Sequence, residues 1–303
     1  MSDSFKAIVI NQSGKEFTRE VKFIEKSFLK HGDVLVKVDY SSLNYKDALI
    51  MRNGARLVKE FPHIPGIDFS GSVVESGNNN FKPGDEVILT GWRVGEIYYG
   101  GYSQYAKVNG DFLVTKPKSL TSKQTMILGT AGFTALLCSF AIKAREELLL
   151  GEKVNDVIVT GASGGVGLTA VEIGKAMGAT VIGAASTGEK LKIVQDHGAD
   201  HLINYVEDDL RKCVKEIVGG IDVVYDPVGG EPFLQALRCM NWEGRIIVIG
   251  FASGTIQKIP ANYLLLKNCA AVGAYWGPYM DKKPEVLLRS LSTLIDWFEA
   301  GRL

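Results

Sequence analysis

A strand that runs into a glycine-rich turn carries the clearest chemical signal of this sequence. Residues 157–167 read Val-Ile-Val-Thr-Gly-Ala-Ser-Gly-Gly-Val-Gly. Glycines let the backbone turn tightly and approach a pyrophosphate closely, and the helix that follows points its N-terminal amides at the anion. The sequence therefore predicts a dinucleotide-phosphate site here. Its predicted members are Gly161, Ser163, Gly164, Gly165, Val166 and Gly167.

The turn differs from the G-x-G-x-x-G fingerprint at one position, because Ala162 takes the place of the first glycine. Such a pattern is weak when taken alone, and a glycine-rich loop without a ligand is the alternative. Here a β-branched strand precedes the turn and a helix with small residues follows it, as the fingerprint requires. This context favours the nucleotide site, and the amides of Gly165, Val166 and Gly167 are predicted to face the pyrophosphate.

The residues that follow the second strand of this region indicate which dinucleotide is bound. An NAD site carries a carboxylate about 20 residues after the turn, where it holds the ribose. Residues 184–190 instead read Ala-Ala-Ser-Thr-Gly-Glu-Lys. Hydroxyl donors and an ammonium group suit a phosphate, whereas a carboxylate repels it. Ser186, Thr187 and Lys190 are therefore predicted to bind the adenosine phosphate of NADPH, with an ordinary solvated helix lysine as the alternative for Lys190.

Two more strand ends lie where ligands of parallel sheets bind. The motif Asp-Pro-Val-Gly at 226–229 follows the fourth predicted strand, and Gly-Phe-Ala at 250–252 follows the fifth. Ligands of doubly wound sheets bind outside the carboxyl ends of the strands. Val228, Gly250 and Phe251 are therefore predicted to bind the cofactor. The aspartate of the first motif either belongs to this site or starts an ordinary turn.

The predicted elements place these residues in a chain of two architectures. Up to about residue 122, short runs of alternating apolar and polar residues are separated by glycine, proline and asparagine turns, a pattern typical of an all-β, barrel-like domain. Apolar strands then alternate with helices, which indicates right-handed crossovers and a parallel, doubly wound sheet. We predict a β domain over 1–122, a nucleotide-binding domain over 123–277 and a C-terminal helical segment over 278–303.

Composition and charge argue against several classes of protein. The 303 residues include 34 basic and 34 acidic side chains, a balance that gives no electrostatic reason to expect a nucleic acid or a membrane surface as partner. No apolar run approaches the about 20 residues that span a bilayer. The four cysteines are far apart and form no C-x-x-C pair, which argues against a disulfide framework. We expect a cytoplasmic enzyme that acts on a small molecule.

Five more motifs precede the nucleotide turn, and together with it they resemble a known family. They are Asn-Tyr-Lys-Asp at 44–47, Pro-Gly-Ile-Asp-Phe-Ser-Gly at 65–71, Lys-Pro-Gly-Asp-Glu-Val at 82–87, Gly-Gly-Tyr-Ser-Gln-Tyr at 100–105 and Gly-Thr-Ala-Gly-Phe-Thr-Ala at 129–135. Over nearly its whole length the chain resembles the zinc-free medium-chain dehydrogenase/reductases of the quinone oxidoreductase type. Its N-terminal half is most similar to the acrylyl-CoA reductase branch. The resemblance implies an α/β fold with a Rossmann-type sheet and a GroES-like β-barrel domain.

The resemblance also implies a reaction without a metal. Zinc-dependent relatives carry a Gly-His-Glu motif whose histidine binds zinc, and a ligand cysteine before it. The matching residues here are Gly66-Ile67-Asp68 and Asn44, and isoleucine cannot bind zinc. Without zinc, a quinone or an α,β-unsaturated carbonyl is a suitable acceptor, because hydride adds to an electron-poor carbon and charge spreads onto oxygen. We predict an NADPH-dependent reductase of such acceptors, with acrylyl-CoA and other enoyl-CoA esters among them.

Roles for individual residues follow from the same resemblance. The family places the motif at 44–47 in a loop at the nicotinamide. This implies that Asn44 orients cofactor or substrate, that Tyr45 donates a hydrogen bond and that Asp47 anchors the loop, and these three form the predicted catalytic set. It also implies that Thr134 faces the cofactor and that Tyr205 supports the adenine side.

A basic segment follows this motif. Arg52, Arg56 and Lys59 either hold the phosphates of a CoA substrate or form a solvated basic face. Enoyl-thioester reductases often have a tyrosine where this chain has Arg56, so the identity of the proton donor stays open, with water as one alternative.

Two expectations concern the end of the chain. Family members usually continue past a segment such as Gly301-Arg302-Leu303 and return to the first domain, so the resemblance implies a barrel without its closing strands. This motivates an alternative function, an NADPH-binding structural or regulatory protein without turnover. By the same resemblance, the apolar run at 269–275 is expected to pair across a two-fold axis in a homodimer.

Overall fold

Short strands build the first of the two units of the chain, Met1–Thr130, and the second unit is Ala131–Leu303. The structure, a computed structural model, describes residues 4–148 and 154–303. The strands described in the first unit are β1 (Ser4–Ser13), β2 (Glu16–Glu25), β3 (Val34–Tyr40), β4 (Asp68–Ser76), β5 (Glu86–Thr90), β6 (Tyr105–Val108) and β7 (Val114–Thr115).

Five of these strands form one antiparallel sheet in the order β6-β3-β4-β5-β7, and β1 and β2 pair as an antiparallel hairpin. Alternate residues of a strand share a face, so Val34 and Val36 of β3 meet Phe69 and Val73 of β4 in one buried cluster. The predicted β domain is thus confirmed. Strand β2 was not predicted, because most of its side chains are exposed and no apolar alternation marks it.

Two helices complete the first unit and lead into the second: α1 (Tyr45–Asn53) and α2 (Ser122–Leu148). Residues 44–47 therefore begin a helix instead of lying in a loop. The helix starts there because the Asp47 carboxylate accepts the backbone N–H of Asn44 at 3.0 Å, which is half of a capping box. Helix α2 is interrupted at Gly129, whose backbone has φ 37° and ψ −154°.

The second unit is built on a six-stranded parallel sheet in the order β10-β9-β8-β11-β12-β13. Its strands are β8 (Asp156–Thr160), β9 (Thr180–Ala185), β10 (His201–Asn204), β11 (Ile221–Asp226), β12 (Met240–Val248) and β13 (Ala270–Gly273). The order reverses between β8 and β11, which is the crevice where doubly wound sheets bind their ligands. The predicted doubly wound sheet is confirmed.

Five of the described helices lie between successive strands of this sheet, and two more follow its last strand. They are α3 (Gly165–Ala176), α4 (Gly188–Asp196), α5 (Leu210–Ile217), α6 (Gly230–Cys239), α7 (Ala261–Lys267), α8 (Tyr279–Lys282) and α9 (Pro284–Glu299). Strand β11 is buried along its whole length, as expected for a central parallel strand. In the described ranges, no helix has both the length and the apolar content that crossing a membrane requires.

Candidate active site

The glycine-rich turn between β8 and α3 has the shape of an anion cradle. Gly161 adopts a left-handed backbone with φ 56°, and a Cβ atom there would lie 2.7 Å from the side chain of Val228. A Cβ atom on Gly167 would collide with the carbonyl oxygen of Gly161. Both positions thus require glycine: Gly161 because of its left-handed backbone and the close Val228 side chain, and Gly167 because backbone packs directly against it.

Helix α3 begins directly at this turn. Its first intrahelical hydrogen bond runs from the Leu168 N–H to the carbonyl of Gly164 at 2.8 Å. The amides of Gly165, Val166 and Gly167 precede that bond, and the first N–H groups of a helix have no intrahelical acceptor. The residues therefore fit a pyrophosphate, which would accept hydrogen bonds from these amides and meet the positive end of the helix dipole.

The structure brings together the three residues predicted to bind the adenosine phosphate. The Lys190 ammonium donates to the Ser186 hydroxyl at 3.0 Å. Thr187 is the N-cap of α4, and its hydroxyl oxygen accepts the Lys190 backbone N–H at 3.4 Å. All three follow the carboxyl end of β9, where Ala185 accepts the backbone N–H of Tyr205 at 3.2 Å. The cluster offers an ammonium group and two hydroxyls.

Asp226 links the carboxyl ends of β8 and β11 at the point where the strand order reverses. It is fully buried, and its carboxylate accepts hydrogen bonds from the Thr160 hydroxyl and, at 2.8 Å, from the Gly229 backbone N–H. Burial raises the pKa of Asp226, and these hydrogen bonds oppose the rise. Of the two interpretations left open by the sequence, the geometry matches a residue that shapes the turn after β11.

The other predicted cofactor residues of this edge lie around the same turn. The Val228 side chain packs over Gly161, and the Gly250 N–H points at the carbonyl of Asp226 at 3.4 Å. Phe251 is 41% exposed and its ring lies over Gly229. Thr134 is buried in α2, which precedes the first strand of this sheet in the chain.

In the first unit, a network of polar groups that includes two buried carboxylates surrounds Asn44. Its side-chain NH2 group lies 3.1 Å from the Ser42 hydroxyl oxygen, 3.3 Å from Asp47 Oδ2 and 3.2 Å from Asp68 Oδ2. Asp47 and Asp68 are both fully buried. The Tyr102 hydroxyl donates to the Ser42 carbonyl at 3.1 Å. The sequence assigned no role to Asp68, Ser42 or Tyr102.

Burial is the largest influence on the carboxyl group of Asp47. It raises the pKa of Asp47 from 3.8 to about 6, with a smaller contribution from the charge of Asp68, while the Asn44 backbone N–H opposes the rise. The second oxygen of Asp47 accepts the Ile67 backbone N–H at 3.0 Å. Burial, followed by the charge of Asp47, also raises the pKa of Tyr102. Asp47 thus joins the start of α1 to the backbone of Ile67 through its two carboxylate oxygens.

The remaining candidate residues of the first unit are at the surface. Tyr45 is 56% exposed, and the neighbouring Lys46 forms an ion pair with Glu96 at 2.7 Å. Arg52, Arg56 and Lys59 are exposed. Arg56 has a left-handed backbone with φ 58°, and its carbonyl accepts a hydrogen bond from the Lys59 ammonium at 3.2 Å.

Comparison with known families assigns both units. Residues 30–118 match the family described as alcohol dehydrogenase GroES-like domain, and residues 165–293 match the family described as zinc-binding dehydrogenase. The chain is 38% identical over 290 residues to the acrylyl-CoA reductase AcuI of Ruegeria pomeroyi, with 92% of this chain and 84% of that protein covered. It is 36% identical to the quinone oxidoreductase-like protein 2 of Bos taurus, with 89% and 76% covered.

Solved structures give the same assignment. The yhdH oxidoreductase of Salmonella enterica, in complex with NADP, superposes with a TM-score of 0.80 at 35% identity and covers 94% of this chain and 86% of its own. The yhfP protein of Bacillus subtilis, with NAD bound, has a TM-score of 0.80 at 33% identity, with 94% and 86% covered. The fold and the site thus define a two-unit dehydrogenase. The chain belongs to the medium-chain dehydrogenase/reductase family of oxidoreductases, as its motifs predicted.

The name of one matched family implies zinc, but the residues at the corresponding positions of this chain are poor ligands for that metal. Ile67 is apolar and buried, Asn44 directs its NH2 group toward carboxylates, and the oxygens of Asp68 accept hydrogen bonds from Ser42 and Asn44. In residues 4–148 and 154–303, no three histidine, cysteine, aspartate or glutamate side chains gather as metal ligands. This donor set does not fit a zinc site.

Proposed function

We propose that the chain is an NADPH-dependent, zinc-independent oxidoreductase that reduces the activated double bond of an enoyl-CoA ester such as acrylyl-CoA, or a quinone. The observation that carries the proposal is the phosphate cluster at the end of β9. There Lys190 and the hydroxyls of Ser186 and Thr187 stand together where an NAD site has a carboxylate. The NADP bound to the Salmonella enterica relative supports this choice of cofactor.

Bound NADPH supplies a hydride for the reduction. The amides at the start of α3 hold its pyrophosphate, and Lys190 neutralises its adenosine phosphate. Asn44 orients the cofactor or the substrate, and Tyr45 donates a hydrogen bond to the carbonyl oxygen on which negative charge develops. Asp47 anchors the start of α1, from which Tyr45 projects.

The names of the relatives support two acceptor classes, an enoyl-CoA ester and a quinone. We favour the CoA ester because Arg52, Arg56 and Lys59 are exposed within eight positions of one another, and guanidinium groups bind phosphate oxygens well. A quinone carries no phosphate and gains nothing from these residues. The two classes therefore differ in their dependence on this basic segment.

Steady-state oxidation of NADPH tests both parts of the proposal. Lys190→Ala is expected to raise the KM for NADPH by about 10- to 100-fold, because a charge-assisted hydrogen bond is lost, and to leave the KM for NADH within about twofold. Lys192→Ala is the matched control, since Lys192 lies exposed on the same helix and pairs with Asp196 at 3.7 Å. Equal effects of Lys190→Ala on both cofactors would remove the basis for NADPH.

The acceptor is tested with acrylyl-CoA and 1,4-benzoquinone in parallel. The double variant Arg52→Ala/Arg56→Ala is expected to raise the KM for acrylyl-CoA by about tenfold or more and to leave quinone reduction unchanged. No oxidation of NADPH with any acceptor, together with NADPH binding in a fluorescence titration, would replace the enzyme by the non-catalytic alternative.

We also propose a homodimer that forms along β13. This strand is last in the sheet order and pairs with β12 through one edge, and Tyr275 just beyond it is 66% exposed. Light scattering is expected to give twice the chain mass of 33.0 kDa, and a monomer mass contradicts the proposal.

A further inference from the structure

Asp68 is the hydrogen-bonding centre of the network around Asn44. It is the first residue of β4 and fully buried. Its carboxylate accepts the backbone N–H of Ser42 at 3.2 Å, the hydroxyl of Ser42 at 2.6 Å, the NH2 group of Asn44 at 3.2 Å and the backbone N–H of Thr130 at 3.1 Å. One side chain thus connects three separate segments of the Met1–Thr130 unit.

No cation balances this carboxylate among the ion pairs of the described residues, none of which includes Asp68. Burial of a charge is costly unless hydrogen bonds or an opposite charge compensate it. Here the compensation comes from neutral donors, and the restart of α2 after Gly129 places a helix N–H on the carboxylate, where a negative charge is favourable. Because they compensate its charge, the donor groups of Ser42, Asn44 and Thr130 are oriented toward the Asp68 carboxylate.

The orientation of the Asn44 amide follows from the chemistry of its partners. Carboxylates accept hydrogen bonds, so the NH2 group of Asn44 faces the carboxylates of Asp47 and Asp68. The side-chain oxygen of Asn44 is then the atom that pairs with the Asp47 backbone N–H in the capping box. The oxygen of the Ser42 hydroxyl lies 2.6 Å from each carboxylate oxygen of Asp68, so its one hydrogen is directed at Asp68. Its lone pair therefore faces the Asn44 NH2 group, and the chain of bonds from Asn44 through Ser42 to Asp68 has one direction.

We propose that Asp68 is a positioning residue that fixes the side-chain amide of Asn44 in one orientation for the reduction, directly and through the Ser42 hydroxyl. This proposal rests on the proposed function for its kinetic consequence. The fixed orientation of the Asn44 amide does not depend on the proposed reaction, and it can be measured without turnover.

Asp68→Asn is the central variant. The substitution keeps the size of the side chain but replaces one acceptor oxygen by an NH2 group. This NH2 group then faces hydrogen-bond donors among Asn44, Ser42 and Thr130, with which it cannot form hydrogen bonds. We expect kcat to fall by about 100-fold, because misplacement of an orienting group by about 1 Å has that effect. The KM for NADPH is expected to stay within about twofold, since the predicted phosphate contacts lie in α3 and α4.

A double-mutant cycle separates positioning from a general loss of structure. If Asp68 acts through Asn44, Asp68→Asn/Asn44→Ala is no slower than Asn44→Ala alone. Independent, multiplicative losses in kcat would overturn the proposal. Ser70→Ala is the matched control, because Ser70 is also buried in β4 but its hydroxyl donates to the Ser122 carbonyl at 2.9 Å and not to the network around Asn44.

Selective ¹⁵N labelling of asparagine provides the readout that needs no turnover. The side-chain NH2 signals of Asn44, identified by their loss in Asn44→Ala, are expected to exchange slowly with solvent in the unaltered chain and in Ser70→Ala, and at least about tenfold faster in Asp68→Asn. Unchanged exchange in Asp68→Asn overturns the proposal. Absence of activity in the unaltered chain would instead refute only the proposed function.

Ser42→Ala keeps the inference testable if Asp68→Asn does not fold. It leaves both carboxylates in place and removes the hydroxyl between Asn44 and Asp68. We expect a loss of about tenfold in kcat, equivalent to one hydrogen bond, together with faster exchange of the Asn44 amide. If a folded Ser42→Ala protein shows neither the loss in kcat nor the faster exchange, the role given to the hydroxyl is contradicted.

Discussion

The buried carboxyl of Asp47 makes the stability of the first unit depend on pH in an unusual direction. Its pKa is about 6 in the folded chain against an ordinary value of 3.8, so the folded state binds the proton more tightly than the unfolded state. The group therefore destabilises the fold as pH rises through about 6, and this loss is absent below about 3.8. The full difference is about 3 kcal/mol, because each pKa unit corresponds to about 1.4 kcal/mol.

Replacement of Asp47 by asparagine isolates this contribution. Between pH 7.5 and pH 5.0, the free energy of unfolding of the unaltered chain is expected to rise by about 1.4 kcal/mol relative to that of Asp47→Asn. Asp68 and Tyr102 are the titratable groups that contact Asp47 or act on its charge, and both remain in the variant. Loss of a hydrogen-bond acceptor in the variant lowers stability at both pH values and cancels from this comparison.

Urea unfolding at the two pH values is the measurement. Fluorine NMR of 5-fluorotryptophan protein monitors the unit concerned, because Trp92 is the one tryptophan of residues 1–130 in a sequence that has four. Asp39→Asn, at an exposed position, serves as control and is expected to show a pH dependence equal to that of the unaltered chain. The reasoning is refuted if the free energy of unfolding of the unaltered chain minus that of Asp47→Asn stays constant or falls on acidification.

Three other substitutions test the turn and the network. Gly167→Ala is expected to weaken NADPH binding by at least about tenfold in a fluorescence titration, because the new Cβ collides with the Gly161 carbonyl. Gly77→Ala is the control, since its Cβ makes an ordinary contact at 3.4 Å. Equal binding of NADPH by both variants contradicts the prediction. Thr160→Val is expected to lower the free energy of unfolding by about 1–3 kcal/mol, because Asp226 loses its hydroxyl donor, and a urea curve unchanged by the substitution opposes it. Gly129→Ala is expected to cost about 1–3 kcal/mol, because its left-handed backbone places a Cβ 3.0 Å from Asp68 Oδ2, and a Tm equal to that of the unaltered chain argues against this strain.

The sheet of the second unit could be predicted because each of its elements is marked by local periodicity. Apolar strands alternate with helices over this part of the chain, and the steric contact that requires glycine at position 167 is with Gly161 and Ala162, a few residues away. The phosphate cluster was also predictable, since Ser186, Thr187 and Lys190 lie within five positions of one another. In each case the signal and the structure are close in sequence.

The network of the first unit gave no such signal. Helix α1 buries only Asp47 and Ile50, so no apolar stripe marks it as a helix. Asp68 meets Asn44 across 24 positions and Thr130 across 62, and no local pattern reports contacts of that range. One hint was present, because a carboxylate between Ile67 and Phe69 in an apolar strand without a basic neighbour must find its donors elsewhere in the fold.

Thr187 caps helix α4 and is also predicted to contact the adenosine phosphate, and this combination offers a route for redesign of the cofactor preference. Its hydroxyl caps α4 and lies beside Ser186 and Lys190. Aspartate caps helices as well as threonine does, and its negative charge is favourable at a helix N-terminus. The same carboxylate would repel a phosphate and suit a ribose hydroxyl. We therefore expect exchange of Thr187 for aspartate to shift the cofactor preference from NADPH toward NADH and to leave the helix capped.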